Sequence, residues 1–201
     1  MAMLKEYGLK VRMVVIDFHS TGGPKVTYRD NLKNIAIDYG LNPQELTFTS
    51  EVCEEWRVQL PHKLVRDFML LSNVFIMPSV SESYSLVTQE AAMLGHVLVL
   101  NQDFPPFRDI FGPNAIFRKY SSAMDIMNGM DGRTNTAYGP NDASDQERKH
   151  HERLYHKDTA GMIAYRLKNY DNLVTRNKLL KTRNLRYVFK HELEPLFFSS
   201  N

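Results

Sequence analysis

Over the first two thirds of the chain, short β-rich apolar runs alternate with longer stretches of helical spacing. Val11–Asp17 (VRMVVID) and Leu46–Ser50 (LTFTS) read as strands. Between them Leu32, Ile35, Ala36 and Tyr39 recur at i, i+3, i+4 and i+7, the signature of one helical face. Gly40 ends that helix, because the left-handed closing residue is normally glycine. Asn73–Ser79 (NVFIMPS) and His96–Asn101 (HVLVLN) are nearly continuous apolar runs, the pattern of strands covered on both faces. Ala115–Lys119 (AIFRK) is a weaker fifth strand. Leu60–Ser72 (LPHKLVRDFMLLS) and Ser85–Gly95 (SLVTQEAAMLG) read as helices, the first with Pro61 in its opening turn and the second closed by Gly95. Strands and helices alternating at this interval are what parallel crossovers require. The expectation is an α/β fold, a Rossmann-like three-layer domain with a mostly parallel sheet.

The pattern lapses after Tyr120. Gly132–Asp145 (GRTNTAYGPNDASD) is polar and rich in turn formers. Helical spacing returns over Asp158–Tyr170 and Asn172–Leu193. The expected organisation is therefore an α/β domain over 1–130, a polar surface insertion or partly disordered loop over 131–157, and C-terminal helices over 158–201.

Composition narrows the class. At 201 residues, with 43% apolar, 24% charged and 11% aromatic residues, the chain has globular proportions and is neither collagen-like nor a disulfide scaffold. Cys53 is the single cysteine, which excludes an intrachain disulfide and a thiolate zinc cluster; it reads as a small buried apolar group. The opening residues, MAMLKEYGLKV, lack the basic and apolar regions of a secretory signal, so the cytoplasm is the expected compartment. Charge is uneven: residues 1–147 carry 13 Lys and Arg against 18 Asp and Glu, whereas 148–201 carry 12 against 5. The basic tail is compatible with peripheral membrane contact or with a solvated helix face. Nothing in it resembles the arginine–glycine or aromatic-interleaved patterns of nucleic-acid binders, so no nucleic-acid partner is expected.

The chemistry concentrates in Met77–Gly95, MPSVSESYSLVTQEAAMLG. It places a strand, a serine-rich loop and a helix start in succession, and open α/β sheets bind ligands beyond the carboxyl ends of their strands. Ser85 is the expected N-cap. The backbone amides of Leu86 and Val87 are then open donors at the positive end of a helix, suited to a phosphate or diphosphate. Glu82 lies in the loop, and Glu90 lies five residues past Ser85, roughly 7–8 Å along the axis. That reach fits the ribose of a nucleotide diphosphate, whose hydroxyls a carboxylate accepts.

This segment resembles the E-x7-E motif of retaining GT-B glycosyltransferases of the family 4 type, which use nucleotide-sugar donors. The resemblance extends through YGLNPQELTFTSEV, LVRDFMLLSNVFIMPS, SESYSLVTQEAAMLGHVLVLN and PPFRDIFG, in that order, and covers residues 1 to about 118. It implies that residues 1–130 are a nucleotide-sugar binding domain, the C-terminal half of a GT-B fold. It also implies that Glu82, in the catalytic position, contacts hydroxyls of the donor sugar. Ser83, Tyr84, Ser85, Leu86 and Val87 would hold the sugar diphosphate, Glu90 would hold the ribose, and Ser50, Glu51 and Val52 would border the base. Tyr84 stands in the usual aromatic place, and Ser85 stands where the family often has glycine. No cofactor and no metal are implied. The donor is the substrate, and the acceptor hydroxyl is unidentified.

Against the family pattern, the first strand of this domain and the whole N-terminal domain have no counterpart here, which implies a truncated chain or a split half completed by a missing domain or partner chain. The strands VRMVVID and NVFIMPS would then either pair directly or leave a gap. Two further readings stay open: a non-catalytic nucleotide- or sugar-binding module, and a GT-B-fold epimerase or phosphorylase. Elsewhere, His19, Ser20, Thr21, Gly22, Gly23 and Lys25 form a glycine-containing turn without phosphate-loop spacing. His150, His151 and His156 read as solvated residues rather than metal ligands.

Overall fold

The apolar runs form strands, and every strand pairing among them is parallel. The structure, a computed structural model, describes residues 1–17, 25–79, 82, 85–119, 145–169 and 190. Its elements are α1 (Ala2–Lys5), β1 (Met13–Val15), α2 (Lys25–Asp38), β2 (Leu46–Phe48), α3 (Thr49–Val52), α4 (His62–Leu71), β3 (Val74–Met77), α5 (Leu86–Met93), β4 (Val97–Asn101), α6 (Pro105–Phe111), β5 (Ile116–Arg118) and α7 (Asp145–Asn169). All five strands anticipated from the apolar runs are present. Gly40 and Gly95 both take φ of +85°, the left-handed closure expected of them.

The fold is α/β with two small parallel sheets, one of order β1-β2 and one of order β3-β4-β5, compatible with a Rossmann-like domain. The expected single sheet is thus divided. Helices α2, α5 and α6 each connect hydrogen-bonded neighbours, whereas α4 connects β2 to β3, which belong to different sheets. The chain divides into two units, Met1–Leu71 with His156–Ala164 and Ser72–Tyr155 with Tyr165–Asn201.

In the second unit β4 is the central strand, and all five of its residues are buried. Met77 pairs with Leu100 on one side of it and Ile116 with Val99 on the other. Leu98 and Leu100 join Ala91 and Ala92 of α5 and Phe107, Ile110 and Phe111 of α6 in one core. The small alanines of α5 let that helix approach the strand closely, and the bulk is supplied by α6 instead. Phe104 and Phe107 meet edge to face with ring centres 4.7 Å apart, a favoured aromatic geometry. Pro105 and Pro106 open α6 where amide donors have no helical acceptor, so their missing N–H groups cost little. Beyond β5, the Tyr155 hydroxyl of α7 accepts the Lys119 amide at 2.9 Å, and Arg166 donates to the carbonyls of Pro113 and Asn114.

In the first unit α2 departs from its expected burial. Ile35 is 51% and Tyr39 42% exposed, so the apolar face read from the spacing is only partly covered. A two-stranded sheet offers too little surface to bury a whole helical stripe. The same limit applies to edge strands: β3, expected to be covered on both faces, leaves Ile76 37% exposed. Cys53 is half-buried rather than fully enclosed. Helix α7 begins at Asp145, ahead of the expected Asp158, so the polar segment is already helical there. Its Gly161 receives Tyr7: a Cβ at that position would lie 2.9 Å from the tyrosine hydroxyl. The expected helix over 172–193, apart from residue 190, and the turn over His19–Gly23 lie outside the described residues, as do residues 131–144 of the expected insertion.

Lys5 ties the start of this unit to the turn before β2 through an ion pair with Glu45 at 3.0 Å. The Asn42 amide also donates to Glu45 Oε2 at 2.8 Å. That amide, and then the lysine, hold the Glu45 carboxyl below its ordinary value of 4.5. A depressed folded-state value stabilises above the ordinary range, and the contribution disappears as pH falls through the depressed value. Denaturant titrations of wild type and Glu45→Gln across the acid range should therefore show a shallower acid loss in the variant. Phe107 is 1% exposed, and its replacement by alanine should cost about 3–5 kcal/mol in the same assay.

Candidate functional site

The strand-loop-helix passage from β3 to α5 is built around two buried polar residues. Asn101 ends β4, after four apolar residues, and is fully buried. Its Nδ2 donates to the Ser79 carbonyl at 3.2 Å, and its Oδ1 accepts the Asp103 amide at 2.9 Å. One side chain therefore ties the exits of two neighbouring strands at the carboxyl end of the sheet. Asparagine suits this place because its amide offers a donor and an acceptor in one plane. Ser79 also donates its hydroxyl to the sulfur of Met77, at 3.3 Å.

Ser85 is the second. It stands at the cap position of α5, as expected, with φ of 44° and ψ of 64°. It is the only non-glycine with positive φ among the described residues. The left-handed conformation costs an ordinary side chain roughly 1–2 kcal/mol. The expected side-chain cap is absent: the Ser85 hydroxyl pairs with the Thr88 hydroxyl at 2.7 Å instead of a backbone amide. The Ser85 carbonyl accepts the amides of Thr88 at 3.1 Å and Gln89 at 3.4 Å, so the helical ladder starts at Thr88. The amides of Leu86 and Val87 occupy the two positions before it, where a helix has no acceptor of its own. Leu86 itself is 66% exposed.

Glu82 is half-buried in the loop, and Glu90 is exposed on α5. Both belong to the same unit as the open amides. Ser83 and Tyr84 lie outside the described residues. The arrangement can offer amide donors and the positive end of a helix dipole to an anion, and carboxylate acceptors to hydroxyl groups.

Ser50, Glu51 and Val52 belong to the other unit and have separate environments. Ser50 is buried beside Asp17, whose carboxylate accepts the Ser50 amide at 3.0 Å and the Ser50 hydroxyl at 2.5 Å. Thr49 adds a hydroxyl to the same carboxylate at 3.3 Å. Arg29 donates to the Ser50 hydroxyl at 3.1 Å, so that hydroxyl is engaged on both sides. Glu51 pairs with Lys33 and, at 3.2 Å, with Arg29 Nε, which sits close in charge but off the hydrogen-bonding direction. Glu51 and Lys33 also line a cavity of about 130 Å³ whose walls include Ala36, Ile37, Leu41 and Leu46. Val52 is 59% exposed. Of the three residues expected to border a base, one lines a cavity.

Sequence reasoning missed Asp17 and Asn101. Both carry one legible signal, a polar residue closing an apolar strand at its carboxyl end. Among the described residues no group of acidic, histidine or cysteine side chains forms a metal site, and no helix is long and apolar enough to cross a membrane. No protein-family model matches the chain, and no curated protein matches it.

Strain at Ser85 has a measurable consequence. Ser85→Val forces a β-branched side chain into the left-handed region and loses the Thr88 contact. It should unfold at lower denaturant than Ser85→Gly, with a gap between the two variants of about 1–2 kcal/mol.

Proposed function

We propose that the chain is the donor-binding part of a retaining, nucleotide-sugar-dependent glycosyltransferase of the GT-B type, transferring a sugar to an acceptor hydroxyl. The observation that carries the reading is the start of α5: two amides ahead of the helical ladder, flanked by Glu82 and Glu90. The ordered resemblance of residues 1 to about 118 supports it, as does the position of this helix start after a parallel strand, where α/β sheets bind nucleotides.

In this reading the diphosphate lies against the Leu86 and Val87 amides, which stabilise the negative charge that grows on the leaving phosphate. Donors fixed by the fold need no reorientation during bond cleavage. Glu82 accepts hydroxyls of the donor sugar and orients its anomeric carbon, and Glu90 accepts the ribose hydroxyls. The resemblance also assigns Ser83 and Tyr84 to the sugar diphosphate. No metal enters the scheme, because helix-terminal amides take the place of a cation at the diphosphate. The acceptor hydroxyl is unidentified.

Thermal unfolding in the presence of UDP-, GDP- and ADP-sugars tests this directly. At a hundredfold excess over Kd, binding adds about 2.7 kcal/mol, which raises Tm by roughly 5–10 °C for a chain of this size. Glu90→Ala, an exposed change, should leave the unliganded Tm unchanged and remove the shift. A chain that responds to no sugar nucleotide, or a variant that responds as wild type does, would defeat the proposal.

A further inference from the structure

A second constellation lies at the opposite end of β3 from the loop that carries Glu82. Ser72 lies two residues before that strand's first residue, Val74, and the four residues of β3 separate the two ends by roughly 13 Å. His96 is 3% exposed, and both its ring nitrogens are engaged. Nδ1 lies 2.7 Å from the Ala91 carbonyl, and Nε2 lies 2.7 Å from the Ser72 hydroxyl. A carbonyl can only accept, so in the neutral ring Nδ1 carries the proton and Nε2 presents its lone pair. The Ser72 hydroxyl is then the donor to Nε2. Nucleophile, base and orienting group stand in the order that activates a serine.

Local folding explains the precision of this line. Gly95 closes α5 with φ of +85°, which brings His96 back beneath the last turn. The Ala91 carbonyl accepts the His96 backbone amide at 3.1 Å as well as the ring. Two bonds to one acceptor fix the imidazole plane. Ala91 also lies in the final turn of α5. Ser72, by contrast, is exposed.

We propose that Ser72 is a nucleophilic serine and His96 its general base, acting on carboxylic esters independently of the sugar-nucleotide reading. Ser72 Oγ bonds to the ester carbonyl carbon while its proton passes to His96 Nε2. The ester C–O bond then breaks, and the departing alkoxide takes that proton and leaves as an alcohol. Water, deprotonated by the same nitrogen, attacks the acyl-serine, releases the carboxylic acid and restores the hydroxyl. Ester and water give acid and alcohol, with no other reactant.

The test treats the purified chain with a fluorophosphonate probe, in which the serine oxygen displaces fluoride from phosphorus, and with 4-nitrophenyl acetate. Peptide mapping should find one dominant adduct, on Ser72, absent in Ser72→Ala. His96→Gln should slow labelling about a hundredfold, the scale of general-base assistance. Because His96 is buried, circular dichroism must first show that this variant is folded. Nitrogen NMR of wild type supplies a readout that does not depend on it, and should find the neutral ring protonated on Nδ1. Labelling spread evenly over many serines, equal labelling in Ser72→Ala or a folded His96→Gln, or a neutral ring protonated on Nε2 would each overturn the assignment.

Discussion

Burial of β4 governs the second unit, and the amide side chain of Asn101 converts that burial into a defined loop geometry. A fully buried strand can end in a polar residue only if each polar atom finds a partner, since an unpaired buried donor or acceptor costs about 1–3 kcal/mol. Asn101 meets this condition by bonding the Ser79 carbonyl and the Asp103 amide. The exits of β3 and β4 are therefore held in register by the same side chain. The passage toward Glu82 leaves the sheet from a fixed point, and α5 starts from the strained backbone of Ser85. Packing of Leu98 and Leu100 against α5 and α6 secures the strand on which all of this depends.

Polar residues at the two ends of the β3-α5-β4 unit behave differently. At the carboxyl end, Ser85 turns its hydroxyl to Thr88, and the helical ladder starts at the Thr88 amide. At the amino end, His96 is locked by the Ala91 carbonyl, and its remaining lone pair is directed to an exposed serine. The two chemistries proposed for them are anion binding at the start of the helix and base-assisted nucleophilic attack beyond its end.

The first unit makes its polar contacts in a different way. Asp17 at the end of β1 gathers the hydroxyls of Thr49 and Ser50 and the Ser50 amide, while Arg29 and Lys33 of α2 pair with Glu51. These interactions fasten α2 to the end of β2 by charge, where the partly exposed Ile35 and Tyr39 show that apolar burial is incomplete. A small parallel sheet with little covering surface leans more on such networks, which are directional and so specify the turn geometry closely.

Local sequence determined the strands, helices α2, α4 and α5 between them and the closures at Gly40 and Gly95, because period, apolar content and glycine preference act over a few residues; α3 and α6 were not legible in it. The order of strand, serine-rich loop and helix around Ser85 was legible for the same reason. The onset of α7 at Asp145 was not, since a strongly charged stretch has no apolar period to betray a helix. Tertiary structure alone decided that β1 and β3 belong to separate sheets, that the α2 face stays partly exposed, and that Ser85 pairs with Thr88 rather than capping its helix. It alone brought Asp17 to Ser50 and Ser72 to His96. Those outcomes depend on which distant surfaces meet and how large they are, and on hydrogen bonds between residues far apart in the chain, none of which is encoded in local spacing.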